Sequence, residues 1–332
     1  MNDEKRKVKA LGLCSGGLDS TLAGMVLKHQ GIDVVWISFE TPFFSAGKAR
    51  KASEKTGIPL IVADITDRYL PMLKNPPAGY GQHVNPCTDC HAMMFRIAGE
   101  MMQETGADFL FSGEVAGQRP MSQTKSSLRY VEKKSGYAGL ILRPLSAKRL
   151  PETEMEKKGL VDRDALLDFS GRTRKPQIRL ARSLGVTDYP PPAGGCLLTD
   201  PNYSRKAKDL LEHMADAGRA DFELLKYGRH IRLSPMAKLV VGRNMVENSR
   251  IISLYRPRCD VKLFMKGIPG PVGLIPRGAD DDAIKTAAGI CAGYGQARES
   301  DAVQVHVTTF SGETVLSVIP IKANSANGMT IL

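Results

Sequence analysis

Ser15-Gly16-Gly17-Leu18-Asp19-Ser20 constrains this chain more than any other stretch. An apolar run, Val8 to Cys14, leads into it, and a helical pattern, Thr21 to Gln30, leads out. A strand that ends in a glycine-rich turn and opens a helix makes an anion site. The first N–H groups of the helix have no partner within it and point at whatever sits above. Gly16 and Gly17 let the backbone approach an oxyanion with no Cβ in the way. Ser15 and Ser20 add hydroxyl donors. Asp19 repels a bare phosphate but fits if Mg²⁺ bridges the two. A Walker loop closes with a Lys-Ser/Thr pair, which this one lacks. The plain alternative is an ordinary glycine-rich turn.

The surrounding pattern extends that unit into a sheet. Apolar runs at Val8–Cys14, Val34–Phe39, Leu60–Ala63, Phe109–Phe111 and Leu140–Leu142 read as buried parallel strands. Helical stretches at Thr21–Gln30, Lys48–Thr56, Asp67–Leu73 and Cys90–Thr105 alternate with them. The expected fold class is α/β, a doubly wound, mostly parallel sheet with ligands at the carboxyl ends of its strands. Lys74–Pro86 and Lys125–Gly136 read as polar loops, and Asp162–Gly185 as basic and helical. The expected domains are 1–204 and a smaller α+β module over 205–332, divided near Ser204.

At 332 residues and 42% hydrophobic content, the chain has ample material for two cores. No apolar run reaches the roughly 18 residues of a membrane span, and Met1–Lys9 carries no signal-peptide core. A soluble, cytoplasmic protein without a membrane partner is expected; the sequence leaves the oligomeric state unknown. The formal net charge of +11 favours polyanionic partners. Arg172, Arg174, Lys175, Arg179 and Arg182 form a run without an acidic residue. It reads as a solvated helix face or as a phosphate-backbone contact.

Six cysteines in a chain this long do not make a disulfide scaffold. Cys87 and Cys90 form a C-x-x-C at a helix start, where both sulfurs can face one point. Cys196 lies far downstream on a glycine-flanked turn, Gly194-Gly195-Cys196. Three readings stay open. The three thiols hold a [4Fe–4S] cluster with one iron open. Or Cys196 carries a persulfide that Cys87 or Cys90 resolves. Or they bind structural zinc, completed by His91 or His83. Cys14, Cys259 and Cys291 lie in apolar contexts and read as core.

Residues 7 to about 200 resemble the PP-loop tRNA thiolases, through S-G-G-L-D-S, Asn85-Pro86-Cys87-Thr88-Asp89-Cys90 and Gly194-Gly195-Cys196. Ser112-Gly113-Glu114 departs from the T-G-H-type turn that many thiolases carry after the cysteine helix. Val240-Val241-Gly242-Arg243-Asn244 with Asn248 resembles the NFACT RNA-binding domain, making Arg243 a candidate RNA contact.

These resemblances imply an ATP-dependent tRNA sulfurtransferase releasing AMP and pyrophosphate. ATP would lie on Ser15–Ser20, with adenine near Ser38 and Phe39, Mg²⁺ near Asp19, and Arg143 or Lys148 meeting the pyrophosphate. Asp64 would face the nucleotide or cap its turn. Asp19, Cys87, Cys90 and Cys196 would do the chemistry. The partners implied are tRNA and a sulfur donor, either sulfide or a persulfide carrier. Two alternatives are a PP-loop enzyme that adenylates a small molecule and a zinc-containing RNA-binding protein.

Overall fold

The computed structural model describes residues 6–119, 122–191, 195–296, 301–322 and 331. Gly194 of the G-G-C motif lies outside the described residues. The chain forms two compact units, Met1–Leu197 and Leu198–Leu332.

The first unit is a five-stranded parallel sheet: β1 (Lys9–Leu13), β2 (Asp33–Glu40), β3 (Leu60–Asp64), β4 (Phe109–Ser112) and β5 (Ile141–Leu142). The order is β3-β2-β1-β4-β5, every pair parallel. The chain reverses direction across the sheet at β1, so the crevice between the ends of β1 and β4 is the natural ligand site. Helices Leu18–His29, Gly47–Thr56, Thr66–Lys74 and Cys87–Glu100 supply the crossovers. Ala10 and Leu11 of β1 are fully buried, as a central parallel strand requires. Gly12 is glycine because a Cβ there would overlap the Phe111 ring of β4.

Two sequence readings need correction here. Lys125–Ser135 is a helix rather than a loop, capped by the Thr124 hydroxyl accepting from the Ser127 N–H. It is mostly polar because only Leu128, Val131 and Ser135 face the core. The basic stretch is helical only over Lys175–Ser183; the chain from Asp162 to Arg174 is irregular.

The second unit carries a six-stranded antiparallel sheet. Its strands are β6 (Arg229–Arg232), β7 (Lys238–Val241), β8 (Val261–Met265), β9 (Gly273–Ile275), β10 (Val303–Thr309) and β11 (Gly312–Val318). They lie in the order β11-β10-β8-β9-β7-β6. Helix Asp281–Gly293 covers one face through Ile284, Ala287, Ala288 and Cys291. On the opposite face, Ile251 of helix Met245–Ser253 packs on Val240 and Leu274. The division expected near Ser204 falls inside helix Pro201–His213. That helix goes with the second unit because the buried Tyr203 hydroxyl donates to the Phe222 carbonyl at 2.9 Å.

Candidate active site

The glycine turn closes β1 as the sequence requires. Gly16 has φ +70°, and a Cβ there would overlap the backbone of Lys48. Gly17 is extended at the helix start, and no side chain caps it. The first N–H groups of the Leu18–His29 helix are therefore left for an anion. Ser15 is exposed at the mouth, whereas Ser20 is buried and donates its hydroxyl to the Gly17 carbonyl at 2.9 Å. Asp19 accepts from Gln118 Nε2 on Oδ2 at 2.8 Å, and its Oδ1 is buried without a partner. Gln118 accepts in turn from Gln177 of the basic helix at 2.9 Å.

Ser38 and Phe39 are both buried on β2. Asp64 Oδ1 accepts from the Thr66 N–H at 2.9 Å, so this oxygen caps the turn after β3.

The cysteine helix begins at Cys87, and its first turn sets Cys87 and Cys90 on one face. Asn85 Nδ2 donates to Cys87 Sγ at 3.2 Å. Asp89, between the two cysteines, accepts from the Ala78 N–H at 2.7 Å and pins the preceding loop. Cys90 is buried, and its thiol is pushed up by that burial and by Cys196, a rise opposed by the Tyr69 hydroxyl. The buried Tyr69 hydroxyl is itself pushed well up, by burial first and then by Cys90, Cys196 and Cys87. All three thiols therefore lie within electrostatic reach of one hydroxyl.

The structure shows how Cys196 arrives there. The Leu197 N–H donates to the Phe43 carbonyl at 2.9 Å, and the Phe43 ring lies 5.4 Å from the Tyr69 ring. Among the remaining cysteines, Cys14 and Cys291 are buried core residues, with Cys14 pushed up to about 11 by burial. Cys259 is a correction: it is exposed at a turn, and its thiol donates to Asp260 at 3.4 Å.

One buried network joins the cysteine helix to the nucleotide loop. Gly113 follows β4 and lies so close to Asp19 that a Cβ would overlap the Asp19 backbone. The next residue, Glu114, is buried and contacts His91 Nδ1 at 2.8 Å; Arg143 Nε donates to it at 3.0 Å. Burial works to raise the Glu114 carboxyl, but Arg143 and His91 outweigh it and bring it to about 2. Arg143 also pairs with Glu132, and its Nη2 is buried without a partner. Lys148 donates to the Asp164 carbonyl at 2.7 Å.

Sequence reasoning missed the roles of Tyr69, Gln118 and the His91–Glu114 contact. The adjacency of Cys90 and His91, with a carboxylate in the turn after β4, was the available signal.

The basic run splits by exposure. Arg172, Lys175, Arg179 and Arg182 are exposed, whereas Arg174 is half-buried with its Nε lacking a partner. In the second unit the Arg243 guanidinium forks onto Glu247, and Asn248 Oδ1 accepts from the Val272 N–H at 3.1 Å.

Fold and site define a PP-loop nucleotide-binding unit, with a parallel sheet and a glycine turn at the β1–β4 crevice. Residues 6–149 match the family model for the thiamine biosynthesis protein ThiI, and residues 228–328 match that for the NFACT protein RNA-binding domain. The amino-terminal unit thus resembles the PP-loop tRNA thiolases, and the carboxyl-terminal unit is similar to the NFACT RNA-binding domain.

It is 29% identical over 232 residues to a tRNA-specific 2-thiouridylase of Thermoanaerobacter sp. strain X514, covering 61% of this chain and 60% of that one. A probable tRNA sulfurtransferase of Caldanaerobacter subterraneus is 29% identical over 163 residues, covering 46% and 39%. The chain thus spans about a third to three fifths of the length of the relatives it matches. A 4-thiouridine synthetase solved with RNA and ATP aligns over 54% of this chain and 52% of that one, at 22% identity and a TM-score of 0.33. That likeness is too slight to argue from. Among the described residues no helix is long and apolar enough to cross a membrane.

Proposed function

We propose that this chain is an ATP-dependent tRNA sulfurtransferase in which nucleotide activation and sulfur delivery share one crevice. The observation that carries the reading is the pair Gly113–Glu114: one residue abuts Asp19 and the next holds His91 beside the cysteines. A uracil carbonyl oxygen leaves poorly until it carries AMP. The base oxygen attacks the α-phosphate of ATP, and pyrophosphate leaves. A sulfur nucleophile then attacks the activated carbon, and AMP departs.

In this scheme the open N–H groups after Gly17 hold the phosphates, and the helix dipole meets their charge. The partnerless Asp19 Oδ1 suits a divalent cation, which would neutralise the phosphates there. Glu114 holds His91 through Nδ1 and so fixes the imidazole ring next to Cys90.

The three thiols suit a soft metal group. Among the described residues, no cluster of three His, Cys, Asp or Glu side chains stands close enough to hold a single metal ion. A [4Fe–4S] cluster spreads its thiolates over separate irons, so Cys87, Cys90 and Cys196 are the residues that would hold it. When bound, such a cluster supplies an open iron for a non-protein sulfur. The persulfide reading stays alongside, favoured by the Asn85 amide aimed at Cys87 Sγ. Iron and acid-labile sulfide analysis of anaerobically purified protein separates the two. Mass spectrometry of tRNA nucleosides after reaction with ATP and either sulfide or a persulfide donor tests the activity itself. Absence of any thiolated uridine, with pyrophosphate release indifferent to tRNA, would favour a small-molecule substrate.

A further inference from the structure

The second unit carries an aromatic and basic row on the sheet face opposite helix Asp281–Gly293. Along β8 the inward residues Val261, Leu263 and Met265 are buried, while Lys262 and Phe264 alternate onto the outer face. Phe264 is 38% exposed. Lys266, one residue beyond the strand, is exposed and still bonded through its N–H to the Gln304 carbonyl. On β10, His306 stands opposite Phe264, and the two rings stack with centroids 4.9 Å apart and planes 2° from parallel. Lys262 Nζ lies 5.8 Å from the Phe264 ring and 5.0 Å from that of Tyr255. Val315 of β11, opposite His306, is also exposed. One carboxylate, Glu313, lies nearby and accepts from the Thr308 hydroxyl at 3.3 Å. Asp260, the other carboxylate near Tyr255, is buried and paired with Arg256, so Lys262 and Lys266 flank a stacked ring pair with Glu313 as the nearby exposed carboxylate.

We propose that the row Tyr255–Lys262–Phe264–His306 is a platform for unpaired RNA, with bases stacking on the rings and phosphates meeting Lys262 and Lys266. Every base has a π-face, so a ring platform takes unpaired bases with little regard to sequence, and interleaved cations follow the backbone. A duplex hides its base faces and gains nothing from exposed rings. The inference rests on the RNA-contacting part of the proposed function and not on sulfur transfer. Asp19→Asn, outside this unit, keeps the binding even where ATP cleavage is lost, so the two ideas fail separately.

The test is titration of the full chain into a fluorescein-labelled single-stranded oligoribonucleotide of about 12 nucleotides, and into the same sequence as a duplex, at several salt concentrations. Phe264→Ala is expected to weaken single-strand binding at least about fivefold while the salt slope holds. Phe264→Tyr, which keeps a ring, keeps the affinity. Lys262→Ala lowers the single-strand salt slope by about 0.7. Unchanged affinity of Phe264→Ala, an equal loss on the duplex, or no binding by the unaltered chain overturns the proposal.

Discussion

Asp19 and Glu114 carry the account at the level of single residues. Asp19 lies in the first turn after Gly17, with one oxygen held by Gln118 and the other buried without a partner. Asp19→Asn should cut ATP cleavage by about a hundredfold or more, the scale of losing one well-placed charge at a reacting phosphate, as measured by AMP release. Glu114 is a buried carboxylate between His91 and Arg143. Glu114→Gln leaves the Arg143 charge without one of its partners and should cost about 3–5 kcal/mol in urea unfolding. Its folded carboxyl is depressed to about 2, below the unfolded value. Its contribution to stability is therefore full above about pH 4.5 and is lost as pH falls toward 2. Unfolding curves across that interval should show a loss that Glu114→Gln lacks.

Turns and helix starts set the site at the next scale. Gly113→Ala puts a methyl into the Asp19 backbone and should impair ATP cleavage while leaving the second unit's unfolding transition unchanged. The elements themselves were legible in the sequence. Runs such as Val34–Phe39 are apolar on both faces, as buried parallel strands must be. The reading failed where burial is sparse: Lys125–Ser135 shows the core only three side chains, so its polar residues masked a helix. It also failed from Asp162 to Arg174, where Leu166 enters the core, with Leu167 and Phe169 packed against it, on irregular backbone rather than on a helix. In the site, the glycine turn and the C-x-x-C were visible because backbone geometry and sulfur spacing are local. Tyr69, Gln118 and the Glu114–His91 pair were not, because tertiary packing alone brings them to the crevice.

The whole molecule pairs a unit similar to the PP-loop thiolases with one similar to the NFACT RNA-binding domain, in a chain of net charge +11. Arg172→Ala combined with Arg179→Ala should weaken tRNA binding and lower its salt slope by up to about 2, since each lost phosphate contact removes close to one. Filter binding from low to moderate salt reads this directly. The central claim is that activation and sulfur delivery meet in the β1–β4 crevice, and Cys196→Ser separates them. Incubated with ATP, Mg²⁺, sulfide and tRNA, this variant should keep tRNA-stimulated pyrophosphate release and yield no thiouridine on nucleoside mass spectrometry. Thiouridine formed at the unaltered rate without Cys196, or pyrophosphate release that ignores tRNA in the unaltered chain, would contradict the account.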